Sequence, residues 1–301
     1  PAGIAVIHSA FNVIATVVLL PFGDLLVKMA CATVRDTKEE KVISAEDQEF
    51  MILESRFLSN PGIAIEQSKT AAKKMAEQSQ NALKLSFGLL DTFQEENAFR
   101  VEKIEAKVDR YEDELGTYLI KLNQKELSVE DSHSLSIMLH CIGDFERISD
   151  HALSIMKSAK EMWEKNAVFS PQAVKELHVM EKAVVDIVDK AYAVFANQDI
   201  QLAEEIEPLE EVIDELSREL KRRHVNRLRA GECTIEMGFI LSDVTTSLER
   251  IADHCSNIGV CVTQVREDLY DTHSHLDTVK NAPGELFHHE LEVARVNYML
   301  P

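Results

Sequence analysis

Cysteine is scarce and scattered. Cys31, Cys141, Cys233, Cys255 and Cys261 are the five in 301 residues, and no two form a CxxC pair. That pattern argues against a disulfide framework and a thiolate zinc site, and favours reduced thiols facing a helical core. Glycine and proline are also few, ten and seven, and 45% of the residues are apolar. Long helices suit that composition better than a turn-rich β fold. Basic side chains are outnumbered, with 32 Lys and Arg against 52 Asp and Glu, a formal net charge of −20. A phosphate backbone is bound by clustered Lys and Arg, so nucleic acid is not an expected partner.

Catalytic motifs are missing as well. There is no P-loop, nucleophile elbow or HExxH, and "HHELE" at 288–292 lacks the second His. The Glu-x-x-His pattern of ferritin-like di-iron proteins occurs once, at Glu285–His288, in the tail and without a partner. The chain is not expected to be an enzyme.

What is present begins with an apolar run. Residues 3–22, "GIAVIHSAFNVIATVVLLPF", carry no formal charge. At ~1.5 Å per residue they would span roughly 30 Å, the thickness of a bilayer core. Neither a basic n-region nor a small-residue cleavage site accompanies them, so a signal peptide is not indicated. Lys28, Arg35, Lys38 and Lys41 follow closely, which predicts that the remainder lies on the cytoplasmic side. The chain opens at Pro1, inside an apolar run, and is expected to be a fragment of a longer protein.

Residues 1–30 are thus expected to form a final membrane helix and 31–61 a linker. The pattern then predicts six helices, at about 62–94, 97–125, 129–166, 171–197, 199–230 and 234–267, with a tail at 268–301. Pro61 follows Ser59 and Asn60 as a helix start, and Ser170-Pro171 marks another. Apolar residues recur at three and four along four of the helices, for instance Val101, Ile104, Val108, Tyr111, Leu115, Tyr118 and Leu122. Such stripes belong to helices packed as bundles.

The text repeats itself. "DFERISDHALSI" at 144–155 returns as "SLERIADHCSNI" at 247–258, an offset of 103, and Glu105 and Asp109 fall on Glu210 and Asp214 at an offset of 105. The chain is therefore a tandem repeat of a three-helix unit, 62–168 and 169–267.

Each unit holds two Glu-x-x-x-Asp pairs: Glu105/Asp109 with Glu146/Asp150, and Glu210/Asp214 with Glu249/Asp253. Residues four apart share a helix face, and each of these acids borders an apolar stripe. Two such helices side by side would gather four carboxylates at a half-buried edge. Like charges so close raise one another's pKa or require a counter-cation. Asp113 stands four residues after Asp109, Ser154 stands four after Asp150, and each Glu has its Asp at that spacing, so the acids are not expected to pair within their own helices. Oxygen-only ligands suit hard or borderline cations such as Mg²⁺, Mn²⁺, Ca²⁺ or iron. His151 and His254 follow the last acid of each set and are candidate outer partners of such a site.

The tandem unit, with "FERISDH", "LERIADHCSNI", "EAKVD" and "EEVID", resembles the PhoU family over about residues 60–267. The resemblance implies an all-α fold of two three-helix bundles and a role in phosphate regulation. It also implies multinuclear metal clusters, one on Glu105, Asp109, Glu146 and Asp150 and one on Glu210, Asp214, Glu249 and Asp253. Asn257 joins the outer partners of the second cluster, whereas the first repeat has Ser154 in its place.

The front, "AVIHSAFNVIATVVLLPF", is similar to the last membrane helix of bacterial sodium/phosphate cotransporters, some of which carry a PhoU-like domain. "ESRFLSNPGIAIEQ" and the closing "VNYMLP" agree with that family. This resemblance implies sodium-dependent phosphate transport, with sodium as coupling ion and phosphate as substrate. It implies an inner-membrane location with residues 31–301 cytoplasmic. The family's transport site lies in earlier helices, but His8, Asn12 and Thr16, four apart, share one helical face and are a candidate polar transport face; a homodimer is a candidate assembly. The alternative is a soluble PhoU-like metal-binding adaptor that regulates phosphate uptake and signalling.

Overall fold

The computed structural model describes residues 49–266 and 285–301, together with His8, Phe11, Val13, Ile14, Thr16 and Val17. The chain divides into Pro1–Glu49 and Phe50–Pro301. The membrane helix expected at 3–22 lies largely outside the described residues, as does Asn12. His8 and Thr16 are helical and exposed. Among the described residues no helix is long and apolar enough to cross a membrane. The expected inner-membrane placement is corrected to that extent: no described helix carries it. The long helices are amphipathic, with charged side chains between their apolar stripes, and a bilayer core would leave those charges unsolvated.

Two 3₁₀ turns, Met51–Leu53 and Ser55–Ser59, lead into the helices. These are α1 (Pro61–Asp91), α2 (Glu95–Leu122), α3 (Val129–Glu164), α4 (Pro171–Asn197), α5 (Ile200–Ala203), α6 (Ile206–Ala230), α7 (Ile235–Arg266) and α8 (Glu285–Asn297). No strand forms among the described residues.

Local chemistry sets the helix ends. Ser128 caps α3, its Oγ accepting from the Asp131 amide at 3.1 Å and donating to Asp131 Oδ2 at 2.8 Å. Ser170 caps α4 ahead of Pro171, whose missing N–H costs nothing in a first turn. The helix expected across 199–230 is instead split in two. An unbroken helix would set the Pro208 ring against the carbonyl of Glu204. Restarting at Ile206 moves Pro208 into the first turn, where no intrahelical donor is needed.

α1, α2 and α3 pack on one another, and so do α4, α6 and α7. The two units meet where α3 lies along α7 and α1 against α4. The striped residues are the core: Val108, Tyr111, Leu115, Phe145, Ile213, Leu248 and Ile251 are all almost fully buried. α1 contributes differently, burying Ala64, Ser68, Ala71, Ala72, Ala76, Ser79, Ala82 and Ser86. Small side chains let it approach α3 closely enough for the Ser79 hydroxyl to sit 2.8 Å from the Phe145 carbonyl. Before α1, Phe50 and Leu53 are buried in the same core. After the bundle, α8 covers α6, burying Leu291 and Ala294.

Candidate metal centre

Each acidic pair stands where the heptad-like register predicts, beside a buried residue. Ile148 and Ile251 are wholly buried, which turns Glu146 and Asp150, and Glu249 and Asp253, to the edge of the seam. α2 packs on α3 and α6 on α7, so the pairs of each repeat are carried by adjacent helices.

The second set closes most tightly. Carboxylate oxygens of Glu210, Asp214 and Asp253 all lie within 4.8 Å of one another. Glu210 is buried, and Asp214 and Asp253 are half-buried. Two oxygens ligating one hard cation at ~2.4 Å each can be at most ~4.8 Å apart, so this spacing fits a shared ion. One oxygen of Asp214 is buried with no hydrogen-bond donor. The Asp214 carboxyl is held above its usual range by burial first, then by Glu249 and Asp253. An oxygen-only donor set with an unsatisfied buried acceptor suits a hard cation. Glu249, the fourth acid, is turned aside, its Oε2 accepting from Ser217 Oγ at 2.9 Å and lying 3.3 Å from Lys221 Nζ.

The first set is looser. Among the described residues, no three of Glu105, Asp109, Glu146 and Asp150 come within 4.8 Å of one another. Asp109 is exposed and the other three are half-buried. The four still feel one another across the helices. Burial raises Glu105, and Asp150 and Asp109 raise it further. Burial also pushes Glu146 up to about 7, with Asp150 the next cause.

The expectation that these acids lack partners on their own helices is corrected. Arg147 Nη1 lies 3.3 Å from Asp150, and its Nε lies 3.3 Å from Glu146. Arg250 Nη1 lies 2.9 Å from Asp253. The pairing with each Asp runs at a spacing of three, from the Arg that follows each Glu, and Arg147 also meets its neighbour Glu146. That Arg is written in both copies of "ERI" and was the signal available in the sequence. Ser217 and Lys221 had no such signal, because they reach Glu249 from another helix.

The histidines occupy the seam between repeats. The His151 and His254 rings are 5.8 Å apart, centre to centre. His254 Nδ1 lies 2.9 Å from Asp144 Oδ1, and Asn257 Nδ2 donates to the same oxygen at 3.3 Å. Burial first, and then His254, lower the pKa of His151. Ser154, in the place of Asn257, donates to the Asp150 carbonyl at 3.0 Å instead.

A family model described as the PhoU domain matches twice, at residues 72–159 and 177–262. The phosphate-specific transport system accessory protein PhoU homolog 1 of Thermotoga maritima is 30% identical over 115 residues, 38% of this chain and 49% of that protein. The match therefore spans about half the length of that relative. A PhoU homolog of Deinococcus radiodurans, under the same accessory-protein name, is 22% identical over 160 residues, 53% of this chain and 74% of that protein. The crystal structure of the phosphate transport system regulatory protein PhoU from Streptococcus pneumoniae superposes with a TM-score of 0.63 at 17% identity. It covers 70% of this chain and 100% of that one. PhoU from Pseudomonas aeruginosa gives 0.58 at 21% identity, over 71% and 98% of the two chains. Identities so low speak to the fold alone.

Proposed function

We propose, from the premise that this chain belongs to the PhoU domain family, that it acts as a PhoU-like accessory regulator of phosphate uptake. The observation that carries this reading is the domain matched in tandem, at 72–159 and 177–262. The names of the relatives, accessory and regulatory proteins of phosphate transport, support it further. The role is regulatory rather than bond-making. Those names also favour a regulator over the sodium-coupled transport step, which is not part of the proposal.

The regulator binds metal through its two acidic edges. Glu210, Asp214 and Asp253, with Glu249 beside them, would hold a hard cation such as Mg²⁺, Mn²⁺ or iron in the second repeat. Glu105, Asp109, Glu146 and Asp150 would do so in the first. A bound cation supplies the positive charge that clustered, desolvated carboxylates require. The residues themselves do the rest: each set ties two neighbouring helices, α2 to α3 and α6 to α7, at a border between core and solvent.

Phosphate uptake in the source organism tests the function. Deleting the gene should alter how uptake responds to external phosphate, and the wild-type gene should restore it. An unchanged response would contradict the proposal.

A further inference from the structure

The two acidic edges are written in the same motif but are neutralised differently. In repeat one a single arginine, Arg147, reaches both acids of α3, at 3.3 Å each. In repeat two Arg250 reaches Asp253 at 2.9 Å, and Glu249 is held from α6. Its Oε2 accepts from Ser217 Oγ at 2.9 Å and from Lys221 Nζ at 3.3 Å. Lys221 also lies 3.4 Å from Thr246 Oγ1, one turn before Glu249 on α7.

Ser217 and Lys221 stand three and seven residues after Asp214, so they continue its face of α6. The offset of 105 that aligns α2 with α6 puts Glu112 and Gly116 at the matching places. Repeat one therefore has an acid where repeat two has a hydroxyl, and no side-chain cation where repeat two has an ammonium. The lysine acting on Glu105 in repeat one is Lys157, which belongs to α3.

We propose that Lys221 is a built-in counter-cation of the second metal site, neutralising Glu249 and competing with a metal ion for that carboxylate. The inference rests on the metal reading above. A cation on Glu210, Asp214 and Asp253 that takes Glu249 Oε2 as a ligand displaces the ammonium from that oxygen. The lysine side chain is 38% exposed and has room to swing into solvent. Until it leaves, it repels a divalent ion and withholds a ligand from it. The two sites thus differ in where their opposing cations come from: in repeat two the neighbouring helix α6 supplies Lys221, whereas in repeat one Arg147 and Lys157 both belong to α3.

Mn²⁺ binding, followed by electron paramagnetic resonance of the free ion, tests this on the full chain. Glu146→Gln and Asp150→Asn disable the first site, so the second is read alone. In that background Lys221→Met should tighten Mn²⁺ binding by about fivefold, the scale of one half-exposed ion pair. Lys221→Arg, which keeps the charge, should bind as the background does. Lys165→Met controls for net charge. Lys165 pairs with Glu236 at 2.6 Å, roughly 25 Å along α7 from Asp253. Lys221→Gln replaces the Met variant should that one misfold. Unchanged or weaker binding in Lys221→Met overturns the inference, as does equal tightening in Lys221→Arg or Lys165→Met. Mn²⁺ binding by the background with no effect of Lys221 defeats this inference alone. No Mn²⁺ binding by the unmodified chain defeats the metal reading and this inference with it.

Discussion

At the scale of the residue, the candidate site is made of acids that are close together and partly withdrawn from water. Glu146 keeps its proton up to about 7, whereas its ordinary value is 4.5. Between those values the folded chain binds more protons than the unfolded one, so this group's contribution to stability falls as pH rises through 7. Glu146→Gln should therefore stabilise the metal-free protein by roughly 1–3 kcal/mol near pH 8, and by little at about pH 4. Denaturant melts at the two pH values check it, and an equal effect at both would contradict the assignment. Saturating Mn²⁺ should shrink the gain, because a bound cation offsets the same repulsion that the neutral side chain removes. The acids were readable from their spacing, since Glu105/Asp109 and Glu210/Asp214 border stripes that had to be buried. Their neutralisation was read less well. Arg147 and Arg250 reach Asp150 and Asp253 at a spacing of three, and Arg147 also meets its neighbour Glu146, whereas the usual helical ion-pair spacing is four.

At the scale of the element, the stripes on α2, α3, α6 and α7 located four helices correctly because large apolar residues at helical spacing have few other uses. α1 carries no such stripe, and its packing was not readable. Its buried face is alanine and serine, residues that look neutral in a sequence yet allow close approach to α3. Enlarging that face should be costly. Ala72→Leu, at a position fully buried, should lose about 1–3 kcal/mol of stability by overpacking. A chemical melt that shows no loss would contradict the close seating of α1 on α3. Gly231 ends α6 at φ +73°, and the amide of Glu232 bonds back to the Arg227 carbonyl at 2.9 Å. Gly231→Ala should cost about 1 kcal/mol, since a Cβ is strained in that conformation. The Pro208 break was missed because the helical periodicity runs through it; only the clash with the Glu204 carbonyl reveals it.

At the scale of the whole molecule, the duplicated motif places α3 of one repeat along α7 of the other, with His151 and His254 meeting between them. Core residues of both repeats, such as Phe145, Ile148, Leu248 and Ile251, belong to one continuous apolar cluster. The bundle from Phe50 onward should therefore unfold in one cooperative transition. Calorimetry giving two separated transitions would contradict a shared core. The repeat itself was visible in the sequence, but its pairing across α3 and α7 was not. A motif read along one helix says which side chains share a face, and nothing about which helix comes to meet it. For the same reason the contacts of Asp144, Ser217 and Lys221, all made with another helix, are not legible in the sequence.

The most direct test is elemental analysis of the purified chain, equilibrated with Mn²⁺ or iron and then dialysed. The wild type should retain metal in stoichiometric amount, and Asp214→Asn with Asp253→Asn should lose the second site's share while remaining helical. A wild type without bound metal, or a double variant that keeps all of it, would contradict the assignment of these carboxylates.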